Sequence, residues 1–158
     1  MDINDPKYFT EEIINFCRMI YDENFVSQSF KEYDKDSNGY IDRKEMGKIA
    51  KDVLIQFDKK YTKKEKTEIK DKWFEFFDTN KDGKITIDEF RILMQTVFAK
   101  FFRKFLLEQV ENCKKYPDCP QFLKELDLIK NLNEFKTTLP KEEQAMIDSF
   151  IENTKKDI

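Results

Sequence analysis

Side-chain oxygens recur at alternate positions in two twelve-residue windows, Asp34–Glu45 (DKDSNGYIDRKE) and Asp78–Glu89 (DTNKDGKITIDE). Each window opens on Asp, carries Asp or Asn at its third and fifth positions and Gly at its sixth, and closes on Glu. From average residue usage these five constraints coincide on the order of 10⁻⁵ to 10⁻⁶ times per window, so two occurrences set aside the reading of ordinary solvated turns. Such donors suit a hard cation. Ca²⁺ takes about six to eight oxygens in flexible geometry, which one short loop can supply by wrapping around the ion, whereas Mg²⁺ demands a tight octahedron that a bidentate Glu serves poorly.

Both windows match the DxDxDGx₅E pattern with Asn accepted at inner ligand positions, and the region from about residue 25 to residue 99 resembles the EF-hand superfamily in the style of calmodulin-like proteins. The resemblance implies a ligand set. In the first loop Asp34, Asp36 and Asn38 would give side-chain oxygens, Tyr40 its backbone carbonyl, Asp42 a direct or water-mediated contact, and Glu45 both carboxylate oxygens. In the second, Asp78, Asn80, Asp82, the Lys84 carbonyl, Thr86 through water, and Glu89 follow in the same order. It also implies that Ile41 and Ile85 pair the loops through a short two-stranded bridge, coupling one site to the other. Gly39 and Gly83 permit the sharp turn that a Cβ would hinder. The first loop brings four carboxylates and the second three, which makes the first the more anionic and favours it as the tighter site.

Helices must hold these loops. The apolar residues Val26, Phe30 and Tyr33 share a face of a helix from about Asn24 to Tyr33 that leads into the first loop, and Met46, Ile49, Val53, Leu54 and Phe57 mark the exit helix. Thr62, with Glu65 three residues on, forms a capping-box pattern for a helix that carries Ile69, Trp73, Phe74 and Phe77 into the second loop. The loop starts lie 44 residues apart, implying a longer exit helix or linker than the compact calmodulin-like arrangement. Ahead of the pair, Asp5-Pro6 reads as a helix start, and Ile13, Ile14, Phe16, Cys17 and Ile20 keep helical spacing.

Beyond Glu89, apolar residues from Phe90 to Val110 repeat in steps of about four. Such steps wind the stripe by about 40° each around a straight α-helix. The expectation is that residues to about Phe98 close the paired lobe, while the later part packs on C-terminal helices or presents a separate face. Phe122, Leu123, Leu126, Ile129, Leu132 and Phe135 mark a following helix, and Thr138-Leu139-Pro140 precedes a last one with Met146, Ile147, Phe150 and Ile151. No window in this region retains the carboxylates, the central Gly and the final Glu together.

The fold class expected is all-α: a paired EF-hand lobe at 25–99 with a short inter-loop β-bridge, an N-terminal helix at 1–24, and a C-terminal helical region at 100–158 that packs on the lobe or a partner. Charged residues make up 39% of the chain and aromatics 15%, a mixture of amphipathic helices that is too aromatic for disorder. Two bound Ca²⁺ would move the formal charge only from −3 to +1, so nucleic-acid binding is not expected. The chain has no His, no glycine-rich phosphate loop and no nucleophile beside an identifiable base, which argues against an enzyme. MDINDPKYFT lacks an apolar signal region, Asp2 excludes N-myristoylation, and no apolar run approaches the roughly 20 residues needed to span a bilayer. A cytoplasmic, intracellular setting follows as the expectation. Three cysteines, Cys17, Cys113 and Cys119, lack metal-ligand or CxxC spacing and read as incidental thiols.

The function expected is calcium-responsive regulation or adaptation through a protein partner. In that reading an apolar groove of Phe30, Met46, Ile49, Phe74, Phe77, Phe90, Leu93 and Met94 opens to a target helix. Two alternatives stand beside it: these residues form a closed core, or the calcium sites stabilise a structural subunit of a larger assembly. The basic amphipathic stretch VFAKFFRKFLL reads as a helix packed by its Phe face, with Lys100, Arg103 and Lys104 in water. Membrane contact is not expected from it.

Overall fold

The computed structural model describes residues 7–57, 59–124 and 127–155. The helix start expected at Asp5-Pro6, and the side chains of Phe122, Leu123 and Leu126, lie outside the described residues. The fold is all-α. In chain order the helices are α1 (Lys7–Ile20), α2 (Glu23–Tyr33), α3 (Arg43–Leu54), α4 (Lys63–Phe77), α5 (Ile87–Leu93), α6 (Ala99–Cys113), α7 (Gln121–Lys124), α8 (Leu128–Lys136) and α9 (Lys141–Thr154). The starts of α2, α3, α4, α5 and α8 are written in side chains that satisfy otherwise orphaned backbone N–H groups. Asp22 accepts from Asn24 and Phe25 ahead of α2, and Thr62 and Glu65 form the expected reciprocal capping box ahead of α4.

Two apolar clusters organise the packing. The first gathers Val26 and Phe30 of α2, Met46, Ile49 and Val53 of α3, Trp73, Phe74 and Phe77 of α4, and Phe90, Leu93, Met94 and Val97 after the second loop. The second joins Ile13, Ile14, Cys17 and Ile20 of α1 to Ala99 of α6, Leu128 and Leu132 of α8, and Ile147, Phe150 and Ile151 of α9. Helix α1 therefore shares a core with the C-terminal helices, a pairing that its apolar stripe alone does not specify.

One rod links the two clusters, because α5 runs without a break through a π-helical turn, Met94–Phe98, into α6. An i→i+5 turn holds one residue more than an α turn, so it rotates the following helix against the drift expected of the stripe. The stripe still changes partner midway. Phe98 and Phe101 pack on the first cluster, and Phe102, Leu106 and Leu107 on the second. The Phe101 ring meets Trp73 edge-on at 5.4 Å between centroids, while Phe102 stacks on Phe16 of α1 at 3.9 Å. A π turn leaves a backbone carbonyl short of its helical donor. Here the Asn153 side-chain amide of α9 donates to the Gln95 carbonyl at 3.0 Å, tying the last helix to the turn.

Two details depart from expectation. The segment after Pro120 is not one helix but α7 and α8, because Asp127 takes an extended conformation and its carboxylate accepts from the Lys130 N–H at 3.2 Å, starting α8 afresh. In VFAKFFRKFLL, Lys104 is exposed and lies over the Phe57 and Phe101 rings, but Lys100 and Arg103 are only partly in water. Both are half-buried, and the Arg103 Nε is enclosed without a hydrogen-bond partner where α6 packs on both clusters.

Candidate metal centre

Each loop is strung between the end of one helix and the first turn of the next. Asp34 caps α2 by donating its N–H to the Phe30 carbonyl at 2.8 Å, and Asp78 caps α4 through Phe74 at 2.9 Å. At the far ends Asp42 and Thr86 are the N-caps of α3 and α5, with Glu45 and Glu89 three residues on in reciprocal capping boxes. The first and last candidate ligands of both loops thus stand on helix termini, where the backbone is already fixed.

The two loops share one hydrogen-bond plan. The Asp34 carboxylate accepts from the N–H groups of Asn38 (3.2 Å) and Gly39 (2.9 Å), and Asp78 accepts from Asp82 (3.3 Å) and Gly83 (2.9 Å). Glu45 accepts from the Asp42 N–H with one oxygen (3.1 Å) and from the Lys35 N–H with the other (2.9 Å). Glu89 repeats this with the Thr86 and Thr79 N–H groups, at 3.1 and 2.9 Å. Lys35 and Thr79 were not singled out from sequence, because both act through backbone N–H groups that any residue could offer, although the Thr79 hydroxyl also donates to Glu89 at 3.2 Å. Asn38 and Asn80 donate their side-chain amides to Asp36 and Asp82, at 3.0 and 3.2 Å.

One carboxylate oxygen from each of Asp34, Asp36 and Glu45 lies within 4.8 Å of the other two, close enough to hold a metal ion between them. Three anions held so close repel one another in the absence of a cation, and the donors are all oxygen, so the chemistry of the set fits a hard divalent ion. In the second loop Asn80 stands where the first has Asp36 and Thr86 where it has Asp42, so fewer charges meet there.

The loops meet back to back. The Ile41 N–H donates to the Ile85 carbonyl at 2.8 Å and the reciprocal bond is 2.9 Å, forming the expected antiparallel bridge. Both isoleucine side chains are fully buried in the first cluster. On the outside, the Lys84 ammonium lies 4.9 Å from the centre of the Tyr40 ring, so these two residues keep their side chains on each other and leave only backbone carbonyls as candidate ligands. Neighbouring cations are also held outward. Arg43 pairs with Asp71 at 3.3 Å and covers the Phe74 ring, and Lys81 donates to the Glu75 carbonyl.

Backbone conformation explains both loop glycines. Gly39 and Gly83 have φ of +87° and +77°, while a Cβ at either would meet nothing within 4 Å, so it is the dihedral and not crowding that excludes a side chain. Gly39→Ala is therefore expected to lower stability by about 1–2 kcal/mol through left-handed backbone strain, measured by urea unfolding in chelator, with no loss from steric overlap.

The eight residues expected to line an apolar groove are instead buried together in the first cluster, so the lobe is closed. A separate cavity of about 400 Å³ opens between the lobe and α6, walled by Phe16, Tyr33, Phe57, Phe98, Phe101 and Phe105, and none of the eight lines it. At its rim Tyr33 donates its hydroxyl to Asp52 at 2.9 Å. Burial, followed by this contact with a carboxylate, pushes the Tyr33 hydroxyl pKa well above its ordinary value. No helix among the described residues is long and apolar enough to cross a membrane.

Comparison with known proteins agrees with this geometry. Residues 23–95 match the family model described as an EF-hand domain pair. The chain is 30% identical to calbindin of Gallus gallus over 99 residues, 63% of this chain and 37% of calbindin. It is 34% identical to secretagogin of Danio rerio over 89 residues, 55% of this chain and 33% of secretagogin. The chain therefore spans about a third of the length of these curated relatives. No solved structure matches it significantly.

Proposed function

We propose that this chain, which belongs to the EF-hand calcium-binding proteins through the domain pair at residues 23–95, binds two Ca²⁺ ions and acts as a calcium-responsive regulatory or adaptor protein for a protein partner. The observation that carries the reading is the shared hydrogen-bond plan of two bridged loops, each ending on a Glu in the first turn of its exit helix. Asp34, Asp36, Asn38, Asp42 and Glu45, with the Tyr40 carbonyl, are the ligands of the first site. Asp78, Asn80, Asp82, Thr86 and Glu89, with the Lys84 carbonyl, are those of the second. Bound calcium supplies the positive charge that neutralises the clustered carboxylates.

Glu45 and Glu89 translate binding into movement, because each is rigidly part of an exit helix. A change in what Glu89 holds is passed along α5, through the π turn, to the Asn153 contact and the second cluster. Opening of the lobe would then uncover Phe30, Met46, Phe74 and Phe90 to an amphipathic partner helix. The role is binding rather than catalysis, in an intracellular setting.

A second reading is favoured by one observation. The exit helix is anchored to α9 and to α1 as part of one packed body, which suits a structural subunit whose calcium sites stabilise a permanently closed lobe. Trp73, the sole tryptophan, distinguishes the two. It is 1% exposed in the first cluster, so opening should shift its emission to longer wavelength and raise binding of an apolar dye when calcium replaces chelator. Emission and dye binding that stay the same in saturating calcium would remove the sensor reading and leave the structural one.

A further inference from the structure

The three cysteines read as incidental from their spacing, yet the fold brings two of them together: Cys113 Sγ lies 2.9 Å from Cys119 Sγ. We propose that Cys113 and Cys119 are a redox-active dithiol, converted by low-molecular-weight disulfides into an intramolecular disulfide that fastens the end of α6 to the chain entering α7. The proposal is independent of calcium binding.

The approach is built by the backbone. Cys113 is the last residue of α6, and a turn of five residues brings the chain back. The Lys114 N–H donates to Val110 at 3.1 Å, the Tyr116 N–H to Cys113 at 3.0 Å, and the Cys119 N–H to Tyr116 at 3.2 Å, so successive carbonyls direct the reversal. A disulfide bond is about 2.05 Å long, so bonding asks the two sulfurs to close by less than about 1 Å, within reach of side-chain rotation.

Exposure, and not acidity, assigns the order of events, since the contact with Cys119, followed by burial, raises the Cys113 thiol above its ordinary value. Cys113 is half-buried and open to a small reagent, whereas Cys119 is only 6% exposed. The Cys113 thiolate attacks one sulfur of oxidised glutathione and expels one glutathione thiolate, giving a mixed disulfide. The Cys119 thiolate then attacks the Cys113 sulfur and expels the second. The protein loses two protons and two electrons, and one oxidised glutathione becomes two reduced ones. Cys17 is a spectator. It is fully buried in the second cluster, and burial pushes its thiol up to about 12, leaving almost no thiolate near neutral pH.

The test equilibrates the full chain in a series of oxidised-to-reduced glutathione ratios, quenches it with acid, and counts alkylatable thiols after denaturation. The expected result is a fall from three thiols to one, with a mass lower by two hydrogens. Trypsin, cutting after Lys114 or Lys115, should release two peptides held together only by the Cys113–Cys119 bond. Cys17→Ser should keep the bond, whereas Cys119→Ser should stop at a glutathione adduct on Cys113. Three thiols retained across the series, a stable glutathione adduct on the unaltered chain, or a bond that includes Cys17 would each overturn the proposal.

Discussion

Glu45→Gln and Glu89→Gln are each expected to weaken calcium binding at the altered loop by more than about tenfold, a cost above about 1.4 kcal/mol, in calorimetric titration. The direction follows from charge and denticity. Gln offers one carbonyl oxygen where Glu offers two anionic ones, and the amide nitrogen cannot ligate. The same substitution is mild toward the fold, because Gln satisfies a capping box as Glu does. In the absence of metal, Glu45 spends its two oxygens on the Asp42 and Lys35 N–H groups, and Gln can keep only one of those bonds. The loss should therefore be about 0.5–1.5 kcal/mol of metal-free stability. The bridge between Ile41 and Ile85 adds a second expectation, since a disabled site should also weaken the other loop, though by less. Unchanged titrations of both variants would sink the ligand assignment, whereas loss of metal-free helicity beyond that small amount would show that the glutamates act on folding and not on the ion.

How far these features were legible depends on whether their cause is local. The loops, the bridge and the Thr62–Glu65 capping box are set by residues within a few positions of one another, so spacing alone announced them. The split at Asp127 is also local, but its cap competes with an apolar period that continues across it, and the period misled. Other features are decided at long range. The stripe of Ile13, Ile14, Cys17 and Ile20 predicts a buried face without naming Phe150 or Leu132 as what covers it. No residue type marks the π turn at Met94–Phe98, and the group that satisfies its Gln95 carbonyl, Asn153, is distant in sequence. The approach of Cys113 to Cys119 rests on a turn whose bonds are all main-chain, which side-chain spacing cannot report.

Phe150→Ala should destabilise the whole chain, and not only its C-terminal part, by about 3–5 kcal/mol. Phe150 is fully buried in the second cluster, distant in sequence from the loops, and its removal leaves a cavity that α1, α8 and α9 can only partly close. For a chain of this size that corresponds to a fall of very roughly 6–20 °C in Tm, at about 2–4 °C per kcal/mol. The decisive question is which signals fall. Trp73 belongs to the first cluster, but Phe101 packs on it from α6, and the next residue, Phe102, stacks on α1. A rod that serves both clusters makes it costly for one to unfold while the other stays intact. Trp73 emission and helical ellipticity should accordingly move down together in the variant, as one transition in chelator. If ellipticity instead showed an early step while Trp73 kept its original midpoint, the two clusters would be separate folding units. The route proposed from Glu89 to α9 would then lack the rigid body it requires.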